Sequence, residues 1–266
     1  MVESDRKSEW ASGDAYEPYV GRWSRLIAYQ FVPWLKVSKS RRWLDVGCGT
    51  GALSQTILDI AAPSLVHGID SSEDYVNYAR KHVADSRARF DVGDARSLPY
   101  QTAFFDAVVS GLALNFMPEP AVAVSEMVRV TRVGGTVALY VWDYAGEMQL
   151  MRHFWNAAGI LDPAAKELDE GRLFPICHQM PLLQLFQDAG LRQTEAQSID
   201  APTIFHSFDD YWAPFLGSQG PAPSYAMSLS EDHRAELREL IRSRLPIKSD
   251  GSIELIARAW AVRGER

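Results

Sequence analysis

Residues Trp43–Gly51 read WLDVGCGTG, a segment in which a glycine-rich turn follows a strand pattern. Apolar residues over 42–46 predict a short buried strand, and Leu53 and Ile57 mark one face of a following helix. The glycines between them allow a tight turn and let a ligand approach the backbone without meeting a Cβ atom. In open α/β sheets, ligands bind at such turns, at the carboxyl ends of the strands. The stretch therefore predicts a ligand-binding strand-to-helix turn.

Strand and helix patterns alternate outward from this turn. Further strands are predicted at 65–70, 88–92, 105–114 and 136–142, with helices at 72–82 and 120–130. This alternation over about 42–144 predicts a parallel sheet with helices on both faces. Beyond it we predict helices at 147–160, 180–190 and 231–244, and strands at 191–205 and 253–262.

Composition excludes several classes of protein. The 266 residues are 47% apolar and 23% charged, which is typical of a globular chain and not of a disordered one. The net charge of −7 disfavours a nucleic-acid partner. Cys48 and Cys177 are too few for a disulfide framework or a cysteine-rich zinc site, so we predict no metal site and a reducing, cytoplasmic location. No apolar run is long enough to predict a membrane span, and the charged start predicts no signal peptide.

Two classes of ligand fit the glycine turn. Gly47, Gly49 and Ala52 satisfy the dinucleotide pattern G-x-G-x-x-G/A, and Asp70 supplies the acidic residue that this pattern requires further along the chain. Asp45 and Asp94, however, place more carboxylates at the same strand ends, which favours a cationic cofactor without phosphate. A nicotinamide-dependent oxidoreductase stays as the alternative interpretation.

Five ordered motifs carry a family resemblance, namely WLDVGCGTG, HGID, VGDARSLPY, FFDAVVS and VTRVGGTVALYVW. Over about 41–145 the chain resembles class I S-adenosylmethionine-dependent methyltransferases, in the small-molecule branch related to ubiquinone/menaquinone C-methyltransferases. Val133 departs from the proline usual in that family. The resemblance implies a Rossmann-like, doubly wound, mostly parallel seven-stranded sheet with an antiparallel last strand and helical insertions. It also implies S-adenosyl-L-methionine as cofactor, with S-adenosyl-L-homocysteine as product.

The resemblance implies roles for particular residues. Asp70 would accept hydrogen bonds from the ribose diol, and Asp94 would accept one from the adenine amino group beside the Ala95 N–H. The loop glycines would form the floor beneath the methionine and ribose parts. The predicted cofactor site contains Asp45, Gly47, Cys48, Gly49, Gly51, Asp70, Ser71, Asp94, Ala95 and Ser110, with Ser54 as a weaker candidate. No redox role is expected for Cys48.

The flanking segments are predicted to close the site and select the acceptor. Residues 1–40 would form a helical lid, in which Tyr19 and Arg22 contact the cofactor and Arg22 pairs with its carboxylate. Residues 41–266 would form the methyltransferase domain, with helical and aromatic insertions at about 145–190 and 206–245. A substrate pocket for a small, partly apolar molecule is predicted from Trp23, Trp142, Asp143, His178 and Trp212.

Methyl transfer from a sulfonium needs mainly alignment and exclusion of water, so we assign no catalytic residue. A base is required only if the acceptor atom must lose a proton, and Asp143, His153, His178 and His206 are the candidates. Residues 115–118 read NFMP where nucleic-acid aminomethyltransferases of this fold carry [DNS]-P-P-[YFW], so a nucleic-acid substrate is not expected. The acceptor atom, whether O, N or C, and the oligomeric state are not predicted. A cofactor-binding regulatory protein without catalysis is the second alternative.

Overall fold

The computed structural model describes residues 22–217 and 220–266. Its strands are β1 (Arg42–Val46), β2 (Leu65–Asp70), β3 (Ala88–Val92), β4 (Phe105–Gly111), β5 (Thr131–Trp142), β6 (Arg192–Phe205) and β7 (Ile253–Glu265). Its helices are α1 (Arg22–Trp34), α2 (Ala52–Ile60), α3 (Glu73–His82), α4 (Pro120–Val130), α5 (Gln149–Leu161), α6 (Glu170–Leu173), α7 (Gln179–Asp188), α8 (Phe208–Trp212), α9 (Pro221–Ser228) and α10 (Glu231–Arg244).

The seven strands form one sheet in the order β3-β2-β1-β4-β5-β7-β6. β1 pairs in parallel with β2 and β4, and these pair in parallel with β3 and β5. β7 runs antiparallel to β5. The order turns back at β1, between β2 and β4, which is the point where open α/β sheets bind ligands. The predicted fold class, including the antiparallel last strand, is confirmed.

Several strand ends differ from the prediction, among them the end of β7, which lies at Glu265 and not at 262. β4 ends at Gly111 and not at Leu114, because Leu112 has a left-handed φ of 59° and residues Leu114–Phe116 form a 3-10 turn. β5 begins at Thr131 and not at Thr136, because an irregularity in its pairing with β4 takes up the Gly134–Gly135 turn. A glycine pair therefore marks a bulge inside this strand and not its start.

The chain divides into two compact units. The first, here called the sheet unit, consists of Ser24–Trp142, Ile176–Ile199 and Ala259–Arg266. Its strand β1 is buried almost throughout, as expected for a parallel strand covered on both faces. Ser72 caps α3 by accepting a hydrogen bond from the Tyr75 N–H at 3.3 Å, and this fixes where the helix begins after β2.

The second unit, here called the aromatic unit, contains Asp143–Pro175 and Asp200–Arg258, and Trp23 belongs to it. Its interior is made largely of rings in contact. Phe154 stacks on Phe215 with ring centroids 4.5 Å apart, and Tyr211 lies 5.3 Å from Phe205. The Tyr211 hydroxyl donates to the Leu150 carbonyl at 2.9 Å, so this buried polar group is satisfied. Within the described ranges, no helix combines the length and the apolar character that crossing a membrane requires.

Candidate functional site

The glycine turn after β1 is held against the end of β2. The N–H groups of Gly47 and Cys48 both donate to the Ile69 carbonyl, at 2.8 and 3.1 Å. Gly47, Gly49 and Gly51 have φ angles of 72°, 51° and 89°, which other residues adopt only with strain. The backbone alone therefore favours glycine at all three positions.

The surroundings of the three glycines differ. A Cβ atom added at Gly47 would lie 2.5 Å from the Cβ of Ala113, and one added at Gly51 would lie 2.8 Å from a methyl group of Val83. A Cβ added at Gly49 would have no described atom within 4 Å. Gly47 and Gly51 therefore serve the packing of the sheet unit, whereas Gly49 presents bare backbone to open space.

Asp70 joins this loop to the start of α3. Its Oδ2 accepts from the Gly49 N–H and its Oδ1 from the Ser72 N–H, each at 2.9 Å. Burial raises the pKa of Asp70, and these backbone N–H groups act in the opposite direction. The carboxylate is thus fixed in orientation beside the open face of Gly49.

Asp45 and Ser110 bring further polar atoms to the same strand ends. The fully buried Asp45 accepts from the Ser54 hydroxyl at 2.8 Å, and burial raises the pKa of Asp45 to about 7. Its other oxygen, Oδ1, has no hydrogen-bond partner among the described residues, nor has the buried Ser110 hydroxyl. Ser110 Oγ lies 3.9 Å from the Cβ position of Gly47. Burial also raises the pKa of the Cys48 thiol, which favours the neutral, unreactive form.

The turn after β3 stands next to Asp70, because the Gly93 N–H donates to the Asp70 carbonyl at 2.9 Å. Asp94 and Ala95 follow directly. The Asp94 carboxylate forms an ion pair with Arg96, at 2.7 Å between Oδ2 and Nη2. The structure therefore brings Asp45, the glycines, Asp70 and the Asp94 turn to one edge of the sheet. Ser71 is exposed, and its neighbour Ser72 provides the helix cap.

The residues predicted for a substrate pocket are divided between the two units. In the aromatic unit, the Trp23 ring lies 5.4 Å from that of Phe205 and the Trp212 ring 5.7 Å from that of Phe215. The buried Asp143 carboxylate accepts from the N–H groups of Gly146 and Glu147, at 3.1 and 2.9 Å. In the sheet unit, Trp142 is buried and His178 is half-buried before α7. Their proposed role in acceptor binding stays a prediction.

The remaining candidates have more limited descriptions. Tyr19 lies outside the described residues, and Arg22 is described only as the first residue of α1. The lid function of residues 1–40 therefore stays a prediction. Burial lowers the pKa of His153, and His206 is exposed. In the part of the chain that the structure describes, no group of three or more His, Cys, Asp or Glu side chains could hold a metal ion.

Sequence reasoning did not single out Ala113 or Arg96. Ala113 matters because it closes the space above Gly47, and this contact joins residues 66 positions apart. Arg96 could have been noticed from its spacing, because an arginine two residues after an aspartate can fold back onto it. The structure shows this local ion pair at the strand end where a ligand is expected.

Comparison with known proteins finds a family match over the segment that carries this geometry. Residues 44–139 match the family described as "Methyltransferase domain", from β1 to within β5. This segment is therefore similar to a methyltransferase domain. The resemblance of its five motifs is thereby confirmed, and the glycine turn, Asp70 and the Asp94 turn all lie inside the matched segment.

Curated relatives align with parts of the chain. The chain is 38% identical over 97 residues to a demethylmenaquinone methyltransferase of Roseiflexus castenholzii, covering 36% of this chain and 41% of that protein. It is 29% identical over 181 residues to a 2-methyl-6-phytyl-1,4-hydroquinone methyltransferase of Synechocystis sp., covering 66% of this chain and 55% of that protein. The chain thus spans about half the length of these relatives.

A solved structure shares the fold over most of the chain. The phosphoethanolamine N-methyltransferase 2 of Haemonchus contortus, in complex with S-adenosyl-L-methionine, aligns with a TM-score of 0.55 and 17% identity. The alignment covers 91% of this chain and 52% of that one. At 17% identity this similarity shows the fold alone. The shared fold extends beyond residues 44–139, the segment that matches the family.

Proposed function

We propose that this chain is an S-adenosylmethionine-dependent methyltransferase that acts on a small molecule. The observation that carries the proposal is the open backbone face of Gly49 beside the fixed carboxylate of Asp70. Open space at a left-handed glycine, at the point where the strand order turns back, is what a ligand lying on the backbone requires.

The residues at this edge fit the cofactor. Asp70 offers carboxylate oxygens to paired hydroxyl groups, as a ribose presents them. The Asp45 Oδ1 atom and the Ser110 hydroxyl are buried and lack protein partners among the described residues, so a polar ligand group would satisfy them. The Asp70 carboxylate at this edge also disfavours a pyrophosphate, whereas Asp45, with its raised pKa, and Asp94, which is paired with Arg96, add little net charge. This charge pattern argues against the nicotinamide-dependent alternative.

When bound, the cofactor supplies a methyl group on a sulfonium, already joined to a good leaving group. The chain's own residues then have to bind, orient and exclude water. Gly49 and Asp70 would hold the nucleoside part, and Asp45 and Ser110 would meet polar groups of the amino-acid part. No proton transfer is assigned to a side chain, because the need for a base depends on the acceptor.

The acceptor is proposed as a small molecule with an apolar part. Two relatives are named for methylation of a demethylmenaquinone and a phytyl hydroquinone, and both names describe molecules of this kind. We also propose a cytoplasmic location, which is supported by a sequence with two cysteines, Cys48 and Cys177, both of them buried.

Titration calorimetry of the whole chain tests the cofactor. We expect S-adenosylhomocysteine to bind and NADH to give no heat of binding. The reverse result would establish the nicotinamide alternative. Incubation with a labelled methyl donor and small-molecule extracts then tests turnover. Binding of S-adenosylhomocysteine without transfer to any extract component would support the non-catalytic alternative.

Replacement of Asp70 by asparagine should weaken S-adenosylhomocysteine binding by about 30-fold. The amide keeps the shape of the side chain, but it is uncharged and its NH2 group cannot accept a hydrogen bond from the proposed ribose diol. That NH2 group would also face one of the two backbone N–H groups that now donate to the carboxylate. Loss of a hydrogen bond to a charged group costs about 2 kcal/mol, and each 1.4 kcal/mol is about tenfold in affinity.

The matched control for Asp70→Asn is Ser72→Ala. It removes the cap on the Tyr75 N–H but keeps the Ser72 N–H that donates to Asp70. It should cost about 1 kcal/mol of stability and leave affinity unchanged. Equal affinity of Asp70→Asn and the parent protein would contradict the assigned role of Asp70.

A further inference from the structure

The family resemblance implies that the Asp94 carboxylate accepts a hydrogen bond from the adenine amino group of the cofactor, but the side chain of Arg96 already occupies this carboxylate. Oδ1 accepts from the backbone N–H and Nε of Arg96 at 2.8 and 3.1 Å. Oδ2 accepts from Nη2 and Nε at 2.7 and 3.1 Å. A carboxylate has about four acceptor positions, so the contacts from this one arginine are enough to fill them.

The same arrangement occurs a second time, at the other end of β3. Asp85 Oδ1 accepts from the backbone N–H and Nε of Arg87 at 2.8 and 3.0 Å, and Oδ2 accepts from Nη2 at 2.7 Å. The two Asp-X-Arg turns thus share three hydrogen bonds, and the Asp94 turn has a fourth, from Nε to Oδ2. Asp85 precedes β3, whereas Asp94 follows its carboxyl end, where ligands bind in this class of sheet.

Arg96 has a second anchor that keeps it at this edge. Its Nη1 donates to Glu119 Oε2 at 3.0 Å, from the residue that precedes α4. The side chains of Arg96 and Asp94 are 37% and 49% exposed, so their ion pair can open at a small cost in free energy. Glu119 can retain the guanidinium when the contact with Asp94 breaks.

We propose that Arg96 determines specificity by acting as a latch, that is, a side chain that occupies the Asp94 carboxylate until a ligand displaces it. The displacing group is an exocyclic amino group of the cofactor's purine. This inference rests on the proposed function and deepens it. Only a ligand with a donor at this position replaces part of the hydrogen bonding lost from Arg96. A base with an oxygen there leaves the latch closed and gains nothing from Asp94.

Calorimetry with S-adenosylhomocysteine on the whole chain tests the latch, with Arg87→Ala as the matched control for Arg96→Ala. Arg96→Ala should bind up to about five-fold more tightly than the parent, the factor set by breaking an exposed ion pair. The Asp94 turn should persist, because the backbone N–H of residue 96 still donates to Asp94. Arg87→Ala should leave the affinity unchanged.

Three further measurements separate a latch from a general effect on the loop. Raising NaCl from about 0.02 to about 0.5 M should bring the affinities of parent and Arg96→Ala together, since salt screens exposed pairs. S-inosylhomocysteine, which carries an oxygen in place of the amino group, should bind to Arg96→Ala and to the parent protein with equal affinity. In an Asp94→Asn background, removal of Arg96 should leave S-adenosylhomocysteine affinity unchanged.

Each opposite result overturns the latch. Unchanged or weaker binding by Arg96→Ala would show that Arg96 does not compete for Asp94. An equal gain in affinity for S-adenosylhomocysteine and S-inosylhomocysteine would show that Asp94 does not distinguish the amino group of the base from an oxygen. If the parent protein fails to bind S-adenosylhomocysteine at all, the proposed function fails first and the latch with it, so the two failures are distinguishable.

Discussion

Alanine in place of Gly49 should weaken S-adenosylhomocysteine binding by about 100-fold and leave the protein folded. The Cβ would project into space that is free of described atoms, so it meets no neighbour among the described residues. Its φ of 51° lies in the left-handed region, which costs an alanine about 1 kcal/mol. A ligand lying on this backbone would collide with the methyl group or shift away from Asp70, and a loss of about 2.8 kcal/mol corresponds to the expected factor.

Gly134→Ala is the matched control for this substitution. Gly134 has a φ of 73°, and a Cβ added there likewise meets no described atom within 4 Å, but it lies in β5 far along the chain from the glycine turn. Chemical denaturation should show a similar loss of stability for both variants, and calorimetry should show weaker binding for Gly49→Ala alone. Equal affinities in the two variants would mean that no ligand lies against Gly49.

Gly47→Ala should behave differently from both. Its Cβ would lie 2.5 Å from that of Ala113, so the segment after β4 would have to move. We therefore expect a loss of stability well above that of Gly49→Ala, by the mechanism of overpacking. This contrast could not be predicted from the sequence, in which the three glycines look equivalent, because it depends on Ala113 and Val83 from distant elements.

Sequence reasoning succeeded where the signal is local or repeated. The strands at 42–46, 65–70 and 88–92 were predicted with the bounds that the structure shows, because short apolar runs end in glycine or aspartate there. The antiparallel last strand came from the resemblance alone, since no periodicity reveals the direction of a strand. The end of β4 was missed because Leu112 adopts a left-handed conformation that apolar residues seldom take.

In the candidate site, too, features with a local sequence signal were predicted, and features that depend on three-dimensional placement were not. Asp70 and the Asp94 turn were expected at neighbouring strand ends, and the Gly93 N–H bond to the Asp70 carbonyl brings them together. What the sequence could not reveal is which atoms have no partner. The Asp45 Oδ1 atom and the Ser110 hydroxyl are left without partners among described residues by the exact placement of Ser54 and the strands, not by their residue types.

Between about pH 4 and pH 7, the stability of the parent protein should fall relative to that of Asp45→Asn, by up to about 4 kcal/mol. Burial raises the pKa of Asp45 from 3.8 to about 7 in the folded protein, so in this range the folded state holds a proton that the unfolded state has lost. Stability therefore decreases as pH rises through this window and levels off above pH 7. Three pKa units at 1.36 kcal/mol each set the upper limit of about 4 kcal/mol.

Asparagine is the appropriate substitution because it mimics the protonated carboxyl and can still accept from the Ser54 hydroxyl, which now donates to Asp45 at 2.8 Å. Glu170 in the aromatic unit complicates the raw curve, since burial raises its pKa to about 7 as well. Both variants retain Glu170, so the difference between parent and Asp45→Asn isolates Asp45. Urea denaturation at pH 5, 6, 7 and 8, without ligand, measures that difference. Parallel curves of stability against pH for the two proteins would show that Asp45 is ionised in the folded protein. Its Oδ1 atom, which has no partner among the described residues, would then belong to a buried charge that a cationic ligand could pair.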